Sequence, residues 1–407
     1  MSRARINPLP RIVSGMRPTG PLHLGHWEGV LKNWIELQKQ HECYFFAADW
    51  HALTTHYQDP RELDTNTFEL VTEWLAVGVD PEQATLFVQS WVPEHAELHL
   101  LLSMLTPLGW LERVPTYKEQ QQELRDRELD TYGFLGYPVL MSADVLVYRA
   151  RGVPVGQDQV AHLEVTREIA RRFNFLYGRG GSFDEHLASG RARLGPKETR
   201  RLTEWAKQYR ESGDQELWSR IERTLSQDPR LTSEEQVVLL AEARGSGRAI
   251  LPEPTPLLTR SSRLPGTDGR KMSKSYDNAI ALRDRRDVVT RKIQTMATDP
   301  ARVRRTDPGE PSRCPVWKYH EAFSTADTRQ WVEAGCRSAG IGCLDCKNRL
   351  LGHMLTELAP IWDRFDALQA HPDTVREVLA SGSERARLEA RATLEEVRDA
   401  LGLAHPS

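Results

Sequence analysis

Two short motifs place phosphate-handling groups far apart in this chain. One is His23-Leu24-Gly25-His26, just ahead of an apolar helical pattern; the other is Lys271-Met272-Ser273-Lys274-Ser275, in a loop entered through Gly269. The first is expected between a strand and a helix. A helix N-terminus offers unpaired backbone N–H groups and the positive end of the backbone dipole, which favour phosphate. His23 and His26 can donate to phosphate oxygens from the same turn. Gly25, with no side chain, lets a planar base lie against the backbone. The second motif supplies two ammonium groups and two hydroxyls. Lysines act on phosphate as mobile point charges, and a loop that closes over a triphosphate meets the charge developing on a pyrophosphate leaving group. Taken singly, the first motif also suits a surface helix cap and the second a solvated basic loop.

Three further groups carry possible chemistry. Cys314, Cys336, Cys343 and Cys346 are separated by 21, 6 and 2 residues, while the fifth cysteine, Cys43, stands alone. Four thiolates satisfy either tetrahedral Zn²⁺ or a [4Fe–4S] cluster, and donor type alone leaves both open. Asp144 lies in an apolar stretch, Tyr137–Tyr148, where a carboxylate needs a partner if it is buried. Arg302, Arg304 and Arg305 form a local basic patch, and Arg302 and Arg305 share a face if that stretch is helical. Guanidinium forks suit phosphate and guanine edges. Trp317 and Tyr319, close by, are either stacking platforms for bases or core residues.

The elements that must position these groups follow from periodicity. Arg11–Ser14, Cys43–Ala48 and Leu86–Val88 read as buried strands. Trp27, Val30, Leu31 and Trp34 repeat at helical spacing, another helix follows Pro60, and Asp158–Phe173 is a third. Strands alternating with helices predict an α/β fold with a Rossmann-like parallel sheet. Residues 1–178 and 251–285 are assigned to this domain. Residues 179–250, polar and rich in helix formers, read as a helical insertion between glycine hinges, with a capping box at Ser233 and Gln236. Residues 286–407 read as an all-α C-terminal domain.

Composition sets the outer bounds. The chain has 407 residues, is 39% hydrophobic and 27% charged, and has a formal charge of −3. That is the profile of an ordinary globular protein and gives no global attraction to nucleic acid, so any RNA contact must come from local basic patches. Five cysteines do not make a disulfide scaffold. With no apolar run of about 18 residues and no signal-peptide pattern, the expectation is a cytoplasmic protein with no membrane partner.

In combination the motifs are much more specific. The chain resembles the class I aminoacyl-tRNA synthetases, and among them the bacterial tryptophanyl-tRNA synthetases. The resemblance rests on SGMRPTGPLHLGH (14–26), ADWHALTTHY (48–57), LERVPTYKE (111–119), YPVLMSADVLVY (137–148), VPVGQDQVAHLEVTREIARRFN (153–174), LPGTDGRKMSKS (264–275), DPARVRRTDPG (299–309) and CPVWKYHEAF (314–323). It implies tryptophan, ATP with Mg²⁺, and tRNA as ligands, and a homodimer. Its implied catalytic residues are His23, His26, Lys271, Lys274 and Lys118. Arg17, Gly25, Gly156, Asp158, Met272, Ser273 and Ser275 are implied around ATP. In GQDQ (156–159), Gly156 permits close approach of the nucleotide and Asp158 suits ribose hydroxyls, while Gln157 stands where many relatives have Glu. Asp144 is implied as acceptor of the indole N–H, with Met141 and Val155 as ring walls, Tyr137 and Gln159 near the amino group, and His51 against the amino acid. The C-terminal domain is implied to bind the anticodon, with Arg302, Arg304 and Arg305 toward tRNA. The four cysteines resemble those of a subset of this family that holds a [4Fe–4S] cluster, with Zn²⁺ as the alternative. Three rivals are a tyrosine-specific synthetase, an RNA- or protein-binding paralogue that no longer charges tRNA, and a small-molecule adenylating enzyme. The third leaves the C-terminal helices and cysteines without a purpose.

Overall fold

The protein is described from a computed structural model covering residues 10–114, 131–156, 159–180, 182–258, 264–273 and 276–403. Its framework is a five-stranded sheet of β1 (Arg11–Met16), β2 (Glu42–Ala47), β3 (Ala84–Val88), β4 (Gly152–Val155) and β5 (Thr255–Leu258), in the order β3-β2-β1-β4-β5. β2 runs parallel to both β1 and β3, with Ile12 opposite Cys43 and Phe45 opposite Leu86. All three strands expected from apolar runs are present. β2 is buried from Cys43 to Ala47 and β3 throughout apart from half-buried Thr85, as in a sheet covered by helices on both faces, whereas β1 is buried only at Ile12 and Val13. The order reverses between β1 and β4. In open α/β sheets that switch opens a crevice outside the carboxyl ends of the strands.

The chain divides into two compact units. The first takes Met1–Trp91, Pro154–Gln157 and Leu257–Arg385; the second takes Val92–Val153, Asp158–Pro256 and Ala386–Ser407. In the first, the helical run after His23 drives Leu24, Leu31 and Trp34 into the core. Trp34 stacks on Phe45 with ring centroids 4.1 Å apart and meets Trp74 edge-on. The run is not uniform. Leu24–His26 and Lys32–Leu37 are α-helical, whereas Trp27–Leu31 is a π-turn, a feature the apolar spacing did not disclose. The long helix Cys343–Ala370 packs on Leu63–Val77, so Met354, Leu358 and Phe365 share one core with Val71 and Trp74.

In the second unit, helices Tyr132–Leu146 and Val160–Tyr177 pack together. Helices Phe183–Leu194, Pro196–Ser212, Gln215–Ser226 and Ser233–Arg244 enclose a small core around Leu202, Trp218, Ile221 and Leu239. Two local expectations are corrected here. The capping box is Thr232 with Glu235, one residue earlier than expected: Glu235 N–H donates to Thr232 Oγ1 (3.3 Å) and Thr232 N–H to Glu235 Oε2 (2.8 Å). The glycines flanking this segment are a close backbone crossing rather than hinges. A Cβ on Gly247 would lie 2.4 Å from the Gly178 backbone, and Arg248 N–H donates to Gly178 O. Among the described residues no helix is long and apolar enough to cross a membrane.

Candidate active site

The His23 turn leaves the carboxyl end of β1 and is closed by its own side chains. His23 Nδ1 accepts from Gly25 N–H (3.1 Å), His26 Nδ1 accepts from His23 N–H (3.2 Å), and the two rings stack 3.8 Å apart. Leu24 N–H donates to Ile280 O and His26 N–H to His23 O. The N–H groups expected to be open for phosphate are therefore already engaged. The ring tautomers follow from the same contacts. A ring whose Nδ1 accepts a backbone N–H carries its proton on Nε2, so Nε2–H is the donor end of both histidines. Gly25 is needed here for a second reason besides nucleotide approach. A Cβ would sit 2.9 Å from His23 Cε1 and displace the cap.

The two motifs meet within the first unit. Leu22 and Leu24 pair with the stretch that follows the lysine loop: Leu282 N–H donates to Leu22 O, and His23 bridges Ala281. Met272 is buried with Leu22, Leu24 and Ile280, and its Sδ lies 3.8 Å from where a Gly25 Cβ would stand. Lys271 is exposed and Ser273 half-buried. Asn278 holds the loop, a role its sequence context did not signal. Its Oδ1 accepts from Ser273 N–H (2.8 Å), and its Nδ2 donates to Asp268 Oδ1 (2.8 Å) and Lys271 O (3.0 Å). Asn278→Ala leaves those backbone groups unsatisfied. It is expected to slow amino-acid-dependent ATP–pyrophosphate exchange about tenfold at limiting ATP, with little change in the amino-acid KM. Equal losses against both substrates would argue for general misfolding instead.

A buried ion pair fixes the same junction. Glu73 Oε2 accepts from Leu22 N–H (2.9 Å) and its Oε1 from Arg283 Nε (2.6 Å), while Arg283 Nη1 reaches Glu69 (2.8 Å). Trp362 Nε1 donates to Leu282 O. One carboxylate thus ties the segment entering the histidine turn to the segment leaving the lysine loop.

Other expected residues of the first unit gather at the sheet's carboxyl edge. Arg17 directly follows β1 and is exposed, half-buried Gly156 directly follows β4, and Val155 is the buried end of that strand. His51 is half-buried in helix Asp49–His56, which follows β2. Lys118, Gln157, Asp158, Lys274 and Ser275 lie outside the described residues.

In the second unit, Asp144 is fully buried on helix Tyr132–Leu146, and it has the partner its burial demands. His95 Nδ1 lies 2.6 Å from Asp144 Oδ1, and His95 Nε2 lies 2.6 Å from Tyr148 Oη. His95 was missed in the sequence because it comes from another helix, 49 positions away. Tyr137 Oη is 2.7 Å from His162 Nε2. Met141 is half-buried on the same helix as Asp144, and Gln159 is exposed at the start of Val160–Tyr177.

The four cysteines are free thiols on neighbouring pieces of the first unit. Cys314 caps helix Pro315–Phe323, Cys336 lies in Ala326–Arg337, and Cys343 and Cys346 open Cys343–Ala370. Burial and then the charges of the other three push the Cys346 thiol up to about 12. Among the described residues no group of three or more His, Cys, Asp or Glu side chains is placed to hold a metal ion. Arg302 is committed locally. It is half-buried and donates to Ile341 O, Arg305 O (3.1 Å) and Cys336 Sγ (3.8 Å). The helical face proposed for Arg302 and Arg305 does not form, because that stretch is turn and bend. Arg304 and Arg305 are exposed. Tyr319 is core, with its hydroxyl on Pro265 O (2.7 Å), which removes it as a stacking platform.

A parallel sheet with a switch point, a double-histidine turn beside it and a lysine loop locked against that turn define a class I nucleotide-activating site. The family described as tRNA synthetases class I (W and Y) matches residues 7–185 and 231–358, and the chain belongs to it. The tryptophan–tRNA ligase of Ralstonia nicotianae is 52% identical over 395 residues, spanning 97% of this chain and 99% of that protein. That of Thermotoga maritima is 46% identical over the same shares. The crystal structure of tryptophanyl-tRNA synthetase from Campylobacter jejuni, complexed with ADP and tryptophan, is similar with a TM-score of 0.72 at 25% identity. The match covers 97% of this chain and 100% of that one.

Proposed function

We propose that the chain is a tryptophan–tRNA ligase, which activates tryptophan with ATP and transfers it to the 3′ end of its tRNA. The observation that carries this is the joining of the His23 turn to the lysine loop through the hydrogen bonds of Leu22, Leu24 and Leu282. A carboxylate oxygen of tryptophan attacks the α-phosphorus of ATP, the P–O bond to pyrophosphate breaks, and tryptophanyl-adenylate forms. The ribose hydroxyl of the tRNA terminus then attacks the activated carbonyl and AMP leaves. No covalent enzyme intermediate is needed, so the residues act by positioning and charge. His23 and His26 donate from Nε2 to phosphate oxygens, and Lys271 and Lys274 meet the charge gathering on pyrophosphate. Arg17 and Lys118 add positive charge near the phosphates, Gly156 and Asp158 seat the nucleoside, and Met272, Ser273 and Ser275 shape the loop over it. Mg²⁺, when bound with ATP, would supply charge neutralisation to the phosphates. Asp144 accepts the indole N–H; Met141 and Val155 wall the ring, and Tyr137, Gln159 and His51 face the amino-acid end.

Residues 286–407 carry the anticodon-binding surface in this reading, with exposed Arg304 and Arg305 toward RNA and Arg302 bracing the cysteine region. Cys314, Cys336, Cys343 and Cys346 would be the ligands of a [4Fe–4S] cluster, with Zn²⁺ as the alternative, although their side chains are not placed as a metal-holding group in this structure. Their donor chemistry suits a four-thiolate group, and burial first, then the neighbouring cysteines, hold the Cys346 thiol above its ordinary range, an opposition to ionisation that a bound cation would relieve. Protein isolated without oxygen is expected to show broad visible absorption with bound iron and sulfide. Colourless protein with stoichiometric zinc would replace the cluster by the alternative. The protein acts in the cytoplasm as a homodimer.

Pyrophosphate exchange driven by each of the twenty amino acids tests the function. Exchange with tryptophan is expected. Exchange with tyrosine alone would overturn the specificity, and folded, ATP-binding protein inert with all twenty would point to the non-charging paralogue.

A further inference from the structure

We infer that His95 is the positioning residue that orients Asp144, and so sets how strictly the pocket demands an indole N–H. This deepens, and rests on, the reading of Asp144 as the indole acceptor. Asp144 is 1% exposed, His95 and Tyr148 are 0% exposed, and solvent therefore cannot substitute for the bonds between them. An ionised carboxylate only accepts, so the 2.6 Å contact puts a proton on His95 Nδ1. The other ring nitrogen then accepts from the Tyr148 hydroxyl, also at 2.6 Å. The result is one directed chain: Tyr148 O–H to Nε2, then Nδ1–H to Asp144 Oδ1.

Geometry makes that chain a clamp. Asp144 is on helix Tyr132–Leu146, and Tyr148 follows one turn later, just past its end. His95, on helix Glu94–Ser103, bridges the two, and the helices pack against each other. The helix bearing His95 is fixed on another side. Glu94 takes Arg387 and Arg391, and Glu97 takes Arg398, all from the last helix. With Oδ1 engaged by His95, the carboxylate cannot rotate freely, and the indole N–H must meet another of its lone pairs. A fixed acceptor penalises a ligand that brings no donor, whereas an acceptor free to swing re-satisfies itself elsewhere and discriminates less.

The test is pyrophosphate exchange by the full-length protein with tryptophan and with its benzothiophene analogue, in which sulfur replaces N–H. The native protein is expected to prefer tryptophan by about 10⁴-fold. His95→Asn places an amide N–H where Nδ1–H was and should retain most of that preference. His95→Gln places it at the Nε2 position and should lose at least tenfold, through a higher KM for tryptophan with the KM for ATP unchanged. Tyr148→Phe should shift the preference in the same direction by less. A His95→Gln protein with native preference and tryptophan KM overturns the proposal, as does equal loss in the Asn and Gln variants. Asp144→Ala separates the two claims. If the native protein discriminates and Asp144→Ala does not, while His95→Gln behaves as native, only the role of His95 fails. If the native protein itself fails to discriminate, the Asp144 reading fails and the role of His95 with it.

Discussion

Asp144→Ala is expected to lower kcat/KM for tryptophan about 100-fold in pyrophosphate exchange, while leaving the KM for ATP near its native value. A hydrogen bond to a buried charged acceptor is worth about 1.5–3 kcal/mol, and each 1.4 kcal/mol is tenfold. The truncation also strips His95 Nδ1–H of its partner in a site with no solvent to replace it. The loss should fall on tryptophan and not on ATP, because in this reading Asp144 meets the indole, whereas the histidine turn and the lysine loop meet the phosphates. Selectivity should fall together with rate, since analogues without an indole N–H no longer leave a carboxylate unpaired. Asp144→Asn keeps one acceptor oxygen and is expected to fall between. An Asp144→Ala enzyme with native tryptophan kinetics and native selectivity would remove Asp144 from the pocket.

Arg283→Leu is expected to destabilise the first unit by about 3 kcal/mol and to reduce activation of every amino acid alike. Glu73 is 2% exposed, and without Arg283 only the Leu22 N–H would remain among the two hydrogen bonds described for it. Breaking a buried pair from one side is costly because the remaining charge stays buried. For a unit of this size the thermal midpoint should drop on the order of 5–10 °C. Activity should fall because Leu22 and Leu282, which Glu73 and Arg283 flank, hold the two motifs together. The double variant Glu73→Leu with Arg283→Leu should regain much of the stability, since the buried carboxylate is removed together with its guanidinium. A single variant with an unshifted melting curve would show that the pair contributes little, and that the backbone bonds between residues 22–24 and 280–282 suffice.

The periodic parts of the fold were legible because they are local. Continuous apolar runs at Arg11–Ser14, Cys43–Ala48 and Leu86–Val88 became three strands of the sheet, and Trp27, Leu31 and Trp34 became its buried helical face. The π-turn at Trp27–Leu31 escaped because three- and four-residue spacings tolerate one extra residue per turn. The capping box was displaced by one residue because Ser233 and Thr232 are both adequate caps, and only Thr232 has Glu235 three positions on. Tyr319 could be a platform or a core residue by composition, and its burial decided for the core.

By itself the sequence determined residue chemistry at short range: which stretches are buried strands, which turns carry imidazoles and ammonium groups, and that four thiols and one carboxylate need partners. The tertiary structure alone decided who those partners are. It put Ile280 on the backbone donor of Leu24, and it drew Arg302 inward to Cys336 and Ile341. It also set His95 against Asp144 across 49 positions. The reason is that a hydrogen bond or ion pair depends on a gap of a few ångströms, and for residues far apart along the chain that gap is set by how helices and strands pack, which no local spacing encodes.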